Sequence, residues 1–179
     1  MAAAHILVVG GTGMLAGLIE ALAGDGGRLS LLSRHASSFG RPGVTAYDVD
    51  YYDEAAFAVA LKAAGPVDLA VAWFHEVKIA AARKLAERIG LPGRPGRLFQ
   101  VLGSATGDPA RPDRLATAAE VVDQLPHCQL RQIVLGFKVD GGQSRWLTDA
   151  EISADVLDAV RSDRLNSVVG QVSPWSARP

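Results

Sequence analysis

The chain has 179 residues, of which 49% are hydrophobic and 21% charged. This balance fits one globular domain, residues 1–179, and excludes a disordered chain. The formal net charge is −1, so we expect neither nucleic acid nor a membrane as a partner. No apolar run reaches the ~18 residues that span a bilayer. No basic flank of the kind found in signal peptides precedes the first apolar run. We therefore expect a cytoplasmic protein.

Apolar bursts alternate with helical patterns along the chain. The patterns predict strands at 6–9, 29–32, 44–47, 69–73, 98–102 and 130–137, with an edge strand at 167–172. Helices are predicted at 14–23, 53–64, 76–89 and 114–125. The capping-box sequence Thr148-Asp149-Ala150-Glu151 begins another helix, which continues to about Val160.

Continuous apolar strands separated by helices predict a mostly parallel sheet that is covered on both faces. Right-handed crossovers then give an α/β fold, a single doubly wound Rossmann-fold domain with six or seven strands in the order 3-2-1-4-5-6(-7). In such sheets, ligands bind beyond the carboxyl ends of the strands, at the switch between strands 1 and 4.

A glycine-rich turn joins the first strand to the first helix. Gly10 and Gly13, followed by Ala16-Gly17, fit the pattern G-x-x-G-x-x-(A/G) at a strand end. Glycines turn tightly and let a diphosphate approach backbone N–H groups at the positive end of a helix. We therefore predict a dinucleotide site formed by this turn, with the following contacts: Gly10, Gly11, Thr12, Gly13, Met14 and Leu15.

The residues after the second strand indicate which dinucleotide binds. NAD-binding sites place an acid there, against the ribose 2′-hydroxyl, whereas this chain has Ser33-Arg34-His35. Arg34 can bind a 2′-phosphate through charge-assisted hydrogen bonds, and Ser33 can add a hydroxyl contact. We predict that NADP(H) binds more tightly than NAD(H), with His35 in the same phosphate-binding loop.

An acidic stretch, Asp48-Val49-Asp50, follows the third strand, where the adenine edge of a dinucleotide would lie. Two interpretations are open. Either one carboxylate accepts a hydrogen bond from the adenine amino group, with Val49 beside the ring, or both acids only solvate a loop.

At this point the sequence resembles the short-chain dehydrogenase/reductase superfamily, as a small atypical bacterial branch. The resemblance covers most of residues 5–107. It rests on "VVGGTGMLAG", the "SR" after strand 2, "DVD" after strand 3, "VDLAVAWFH" around strand 4 and "GRLFQVLGSATG" around strand 5. It implies a Rossmann fold, a nicotinamide cofactor and hydride transfer. It also allows a homodimer through the helices after strands 4 and 5.

The chain departs from that family at the residues that carry the chemistry. Catalytic members have Asn-Ala-Gly after strand 4, where this chain has Trp73-Phe74-His75, so Trp73 would lie beside the cofactor. They also have Tyr-x-x-x-Lys on a later helix, and this chain has no tyrosine after strand 4. Ser104 stands where the family has its serine. His75 and Ser104 are therefore the candidate substitutes, as proton donor and polariser.

Two functions remain open from the sequence. One is an oxidoreductase that moves hydride between NADP(H) and a small carbonyl or alcohol substrate of unspecified identity. The other is a sensor that binds NADP(H) without turnover, which the absent tyrosine favours. Lys138, Arg145 and Trp146 are candidates for contacts with substrate or cofactor; alternatively, Lys138 is a solvated side chain and Trp146 packs the following helix against the core. Cys128, the one cysteine, is expected to be a small buried side chain. No histidine has a second ligand at metal-compatible spacing, so we predict no metal site.

Overall fold

The computed structural model of the protein describes residues 4–75 and 79–179. Its strands, in chain order, are β1 (His5–Val9), β2 (Arg28–Ser33), β3 (Val44–Asp48), β4 (Leu69–Trp73), β5 (Gly96–Leu102), β6 (Cys128–Leu135), β7 (Phe137–Asp140), β8 (Gln143–Trp146) and β9 (Asn166–Val169). Its α-helices are α1 (Ala16–Gly24), α2 (Glu54–Ala64), α3 (Ile79–Ala86), α4 (Asp113–Ala119) and α5 (Asp149–Arg161).

Seven strands form one parallel sheet in the order β3-β2-β1-β4-β5-β6-β9. β1 lies at the centre, where Ile6 pairs with Leu29 of β2 on one side and with Leu69 of β4 on the other. The predicted order is confirmed, and the edge strand predicted at 167–172 is present as β9, which ends three residues earlier, at Val169. The chain switches direction across the sheet between β1 and β4, so the carboxyl ends of these two strands define the cleft.

The two faces of the sheet carry separate apolar cores because successive strand residues point to opposite sides. Val8 packs toward α1 and α5, whereas its neighbours Leu7 and Val9 pack toward α2 and α3. All three are at most 1% exposed. This double covering explains why the strands are apolar throughout and do not alternate.

Local signals at helix ends are confirmed where they are strong. The Asp53 carboxylate accepts a hydrogen bond from the amide of Ala56 and begins α2. At α5, the Thr148 hydroxyl accepts from the Glu151 amide, and the Glu151 carboxylate accepts from the Thr148 amide, which completes the predicted capping box.

Several predicted bounds were wrong. The helix predicted at 14–23 begins two residues later. The helix predicted at 114–125 ends at Ala119 and continues only as a 3₁₀ turn, Glu120–Val122, whose β-branched valines disfavour an α-helix. The first three residues of the helix predicted at 76–89 lie outside the described residues, and the described helix is α3.

The sixth strand was predicted to run to Phe137, but β6 ends at Leu135. A Cβ atom on Gly136 would lie 2.1 Å from the carbonyl oxygen of Gln171, so the backbone passes too close there for a side chain. Phe137 instead begins a two-stranded antiparallel hairpin, β7–β8, in which it pairs with Trp146. This hairpin was not predicted from the sequence.

None of the described helices is both long enough and apolar enough to cross a bilayer.

Candidate functional site

The glycine turn after β1 lies close against the neighbouring strands. Gly10 has a φ of +73°, and a Cβ atom there would lie 2.5 Å from the carbonyl oxygen of Trp73. Its amide donates to the carbonyl oxygen of Leu32 at 2.8 Å. Gly11 also has a positive φ, of +71°. Glycine is thus required at Gly10 both by the backbone conformation and by the contact with the end of β4.

The next residues leave backbone donors available. In the part of the chain that the structure describes, the amides of Thr12, Gly13 and Met14 donate to no protein acceptor. A Cβ atom on Gly13 would meet nothing closer than 3.8 Å. These donors lie just before the positive end of α1, which is the arrangement that binds anions.

Ser153 of α5 fixes the start of α1. Its hydroxyl donates to the carbonyl oxygen of Met14 at 2.8 Å and accepts from the amide of Leu18 at 3.3 Å. A Cβ atom on Gly17 would lie 3.2 Å from that of Ser153, so the two helices approach closely. The turn and the helix behind it therefore form a rigid unit.

A first cavity of about 460 Å³ lies at the carboxyl ends of β1 to β4. Its volume is within the range of small-molecule sites. The structure brings together around it nine of the predicted cofactor-binding residues: Gly10, Gly11, Thr12, Gly13, Met14, Ser33, Arg34, His35 and Trp73.

The polar groups at the end of β2 are available to a ligand. Ser33 is 8% exposed, and its hydroxyl has no hydrogen-bond partner among the described residues. Arg34 and His35 are exposed on the cavity rim. Within the described chain, Arg34 forms no ion pair with a carboxylate. A buried hydroxyl without a hydrogen-bond partner lowers the stability of the protein. A ligand that supplied this partner would remove that cost.

Three predicted cofactor-binding residues do not line this cavity. Leu15 is fully buried and packs among the side chains between α1 and the sheet. Val49 is 9% exposed and belongs to the core on the α2 side. Asp48 is exposed, and its carboxylate accepts from both the amide and the hydroxyl of Ser37. These two hydrogen bonds lower the pKa of Asp48, so this residue orders the loop after β2.

Three further residues line the cavity: Asp50, one of the two acids predicted at the adenine edge, and Tyr51 and Tyr52, which were not predicted. The rings of Tyr51 and Tyr52 stack with centroids 4.9 Å apart, and the Tyr51 ring meets the Phe74 ring edge-on at 5.1 Å. The Tyr51 hydroxyl accepts from the backbone amide of His75 at 2.9 Å. Burial raises the pKa of Tyr51. Their position directly after β3 was the available signal, because ligands gather at carboxyl strand ends.

A second cavity of about 520 Å³ adjoins the first, and Trp73 and His75 line both. Phe74 and Leu102 contribute apolar walls, and Arg111 and Arg114 lie at its edge. This cavity is the space between the ends of β4 and β5 and the start of α4.

His75 stands at the junction of the two cavities. Its side chain is exposed, and its ring lies 6.5 Å from that of Trp73 in an edge-to-face arrangement. In the described structure neither ring nitrogen of His75 is hydrogen-bonded to the protein. A bound molecule could therefore form a hydrogen bond with either ring nitrogen.

Ser104 is placed differently. It follows β5 as predicted and is 9% exposed, but it is not among the residues that line the second cavity, although its neighbours Gly103 and Ala105 are. Its hydroxyl oxygen accepts from Nε of Arg178 at 3.0 Å. Ser104 thus contacts the C-terminal segment.

The remaining candidate contacts, Lys138, Arg145 and Trp146, lie on the hairpin. Lys138 donates to Glu151 at 2.7 Å, and both terminal nitrogens of Arg145 donate to the same carboxylate at 2.9 Å. These cations hold the pKa of Glu151 well below its usual range. Trp146 is 46% exposed, so it does not bury itself against α5. The two cations attach the hairpin to the first turn of α5.

Reactive or metal-binding groups are not assembled elsewhere in the described part of the chain. Cys128 is buried, and burial raises the pKa of its thiol to about 12, so it remains an unreactive thiol. Over residues 4–75 and 79–179, no group of three or more His, Cys, Asp or Glu side chains is placed to bind a metal ion.

No protein-family model matches the sequence, and no curated protein matches it. Solved structures do match the fold. A short-chain dehydrogenase from Burkholderia cenocepacia in complex with NADP aligns with a TM-score of 0.76 at 16% identity, over 98% of this chain and 92% of that one. BdcA in complex with NADPH gives 0.64 at 12% identity, over 96% and 95%; BdcA is an Escherichia coli protein. The anaerobillin reductase ChuY from Escherichia coli gives 0.62 at 18% identity, over 95% and 97%.

At these identities the likeness establishes the fold. It is the fold of short-chain dehydrogenases and related Rossmann-fold NAD(P)-binding proteins.

Proposed function

We propose that the protein binds NADP(H) in the first cavity and transfers hydride between it and a small carbonyl or alcohol compound in the second. The observation that carries this proposal is the junction of the two cavities at Trp73 and His75, because it lets a ligand in each meet at one histidine. The NADP and NADPH complexes of two structurally similar proteins support the choice of cofactor.

The residues around the first cavity fit this dinucleotide. The amides of Thr12, Gly13 and Met14 offer donors to a diphosphate at the start of α1. Arg34 offers a guanidinium to a 2′-phosphate. The partnerless hydroxyl of Ser33 offers a hydrogen bond beside it. No acid follows β2 directly to bind an unmodified ribose 2′-hydroxyl, which favours NADP(H) over NAD(H).

When bound, NADP(H) supplies the hydride chemistry, and the protein supplies orientation and the proton. An imidazole nitrogen of His75 would give a proton to the carbonyl oxygen of the substrate, or remove one from the alcohol in the reverse direction. Histidine side chains exchange protons near neutral pH. The Tyr51 hydroxyl positions His75 through its backbone amide.

Ser104 would polarise the same carbonyl group from between Gly103 and Ala105, which line the second cavity although Ser104 itself does not. This role requires its hydroxyl to turn toward the cavity when substrate binds. Because its oxygen already accepts from Arg178, its hydroxyl hydrogen remains available for donation. The nearby guanidinium also strengthens that hydroxyl as a donor. Arg178 is therefore a positioning residue for Ser104 in this proposal.

A second candidate function is a sensor that binds NADP(H) without turnover. Two observations favour it: α4 carries neither tyrosine nor lysine, and Ser104 does not line the second cavity. The two functions make the same prediction for cofactor binding and differ only in turnover.

A turnover assay separates them. We would follow the absorbance of NADPH with a panel of aldehydes, ketones and quinones, using wild-type protein, His75→Ala and the matched control His127→Ala. We expect turnover in wild type and in His127→Ala, and a loss of about 100-fold or more in His75→Ala. NADPH binding without oxidation by any compound supports the sensor, and full activity of His75→Ala contradicts the assigned role of His75.

A further inference from the structure

The second cavity has apolar walls and a positively charged edge. The side chains of Trp73, Phe74 and Leu102 make the walls apolar, and Phe74 and Leu102 are 6% and 5% exposed. Such walls disfavour a small, fully hydrated ligand, because they replace no hydrogen bond that it loses on binding. They favour a flat apolar body, which can pack against the indole and phenyl rings.

Apart from the charged side chains and His75, the polar side chains that line the cavity are those of Thr106 and Thr117. The Thr106 hydroxyl donates to the carbonyl oxygen of Gly103 at 2.6 Å, so its hydrogen is not available to a ligand. His75 stands at the opening toward the first cavity. The interior thus offers little to select a hydroxyl-rich compound such as a sugar.

The edge of the cavity carries an excess of positive charge. Arg111 and Arg114 contribute two guanidinium groups against the one carboxylate of Asp113. Nε of Arg111 lies 3.8 Å from that carboxylate, a long ion pair between exposed side chains. Arg114 has no ion-pair partner in the described structure.

Arg114 is also held in place. It is half-buried, and its Nη1 donates to the carbonyl oxygen of Ala105 at 3.0 Å. This bond uses one of the five N–H donors of a guanidinium and leaves the others for a ligand. A carboxylate can accept two parallel hydrogen bonds from such a group, which gives both affinity and orientation.

We infer that the substrate of this protein is a flat apolar compound with a carboxylate, which Arg114 binds while the apolar body lies against Trp73 and Phe74. This inference rests on the proposed function and names its substrate class. Arg111, already beside Asp113, adds a weaker attraction. The carboxylate at the edge would orient the far end of the molecule toward His75.

Three matched probes test this inference: 6-formyl-2-naphthoic acid, its methyl ester and the corresponding cationic trimethylammoniomethyl compound. Each is titrated by calorimetry at pH 7.5, into free protein and into protein saturated with NADP⁺. We expect the acid to bind at least about tenfold more tightly than the ester, as a charge-assisted pair implies. Arg114→Gln should bring the acid to the affinity of the ester and leave the ester unchanged.

Arg111→Gln should weaken the acid less than Arg114→Gln does. Arg41→Gln, an exposed arginine far along the chain from this cavity, is the matched control and should change nothing. Equal binding of acid and ester, tighter binding of the cationic probe, or an equal loss for every probe in Arg114→Gln would each overturn the inference.

Failure of the proposed function gives a different pattern. If NADP(H) does not bind but free protein still prefers the acid through Arg114, the proposed function fails and the ligand class stands. If NADP(H) binds and no preference for the acid is seen, the ligand class fails and the cofactor site stands.

Discussion

Arg178 donates its Nε hydrogen to the hydroxyl oxygen of Ser104 at 3.0 Å, and its guanidinium lies 4.8 Å from the ring centre of Trp146 and 5.2 Å from that of Trp175. One cation thereby joins the end of β5, the hairpin and the C-terminal segment. Cation–π contacts at exposed sites contribute ~0.5–1 kcal/mol each, and a hydrogen bond contributes ~1 kcal/mol.

We therefore expect Arg178→Ala to lower the free energy of unfolding by about 2–3 kcal/mol. Urea denaturation followed by tryptophan fluorescence measures this change. Arg41→Ala, an exposed arginine without these contacts, should change it by less than ~0.5 kcal/mol. If the two variants are equally stable, the Arg178 contacts do not hold the segment in solution.

Two glycines near the first helix should respond in opposite ways to alanine. At Gly10, the positive φ and the 2.5 Å approach to the carbonyl oxygen of Trp73 leave no room for a Cβ atom. Gly10→Ala should therefore lower the free energy of unfolding by at least about 2 kcal/mol. At Gly24, the end of α1, a Cβ atom would meet nothing within 4 Å, so Gly24→Ala should raise it by ~0.5 kcal/mol. Thermal denaturation compares the two, and a neutral Gly10→Ala contradicts the described turn.

The stability of the protein should depend on His5 in mildly acidic solution. His5 is 4% exposed; its Nδ1 hydrogen donates to the Pro66 carbonyl oxygen at 2.6 Å, and the Ser30 hydroxyl donates to Nε2 at 2.9 Å. Burial lowers the pKa of His5 from 6.5. Below that pH the unfolded chain binds a proton that the folded chain resists.

The contribution of His5 to the free energy of unfolding is thus complete above pH 6.5. It decreases as the pH falls below 6.5, by up to ~1.4 kcal/mol per pH unit. Urea denaturation at about four pH values between pH 5 and pH 8 gives the free energy of unfolding of wild type and of His5→Asn. The two stability curves should diverge on the acid side, and parallel curves would show that His5 titrates normally in the folded protein.

Tyr51 should matter to the site more than Tyr47, the tyrosine in the preceding strand β3. Tyr51→Phe removes the hydroxyl that accepts from the His75 amide. This loss should cost ~1 kcal/mol of stability and reduce NADPH turnover several-fold, because His75 is less well positioned. Tyr47→Phe is the control, since its ring packs beside the α2 core. Equal activities of the two variants would remove Tyr51 from the site.

The local features of the fold could be predicted from the sequence because neighbouring residues determine them. The turn at Gly10, the start of α2 at Asp53 and the capping box at Thr148 depend on a few consecutive residues. The strand order followed from the apolar runs and the rules of parallel sheets. The hairpin also had a local signal, since Gly141 and Gly142 have φ values of +58° and +81° in its two-residue turn.

The other features depend on residues far apart in the chain. Ser153 meets Leu18 across 135 positions, and Arg178 meets Ser104 across 74. Neither pair leaves a pattern in the sequence, because serine and arginine at these spacings have no local signature. The same holds for Tyr51, whose hydroxyl reaches His75 only after β3 and β4 take their places in the sheet.

Calorimetric titration of NADPH and NADH into wild-type protein and Arg34→Ala tests the central claim that the first cavity is an NADP(H) site. We expect NADPH to bind wild type at least about tenfold more tightly than NADH, a difference of ~1.4 kcal/mol, and Arg34→Ala to abolish that preference while NADH binding stays the same. Absence of binding by either dinucleotide, or equal affinities in wild type, would show that this cavity is not an NADP(H) site.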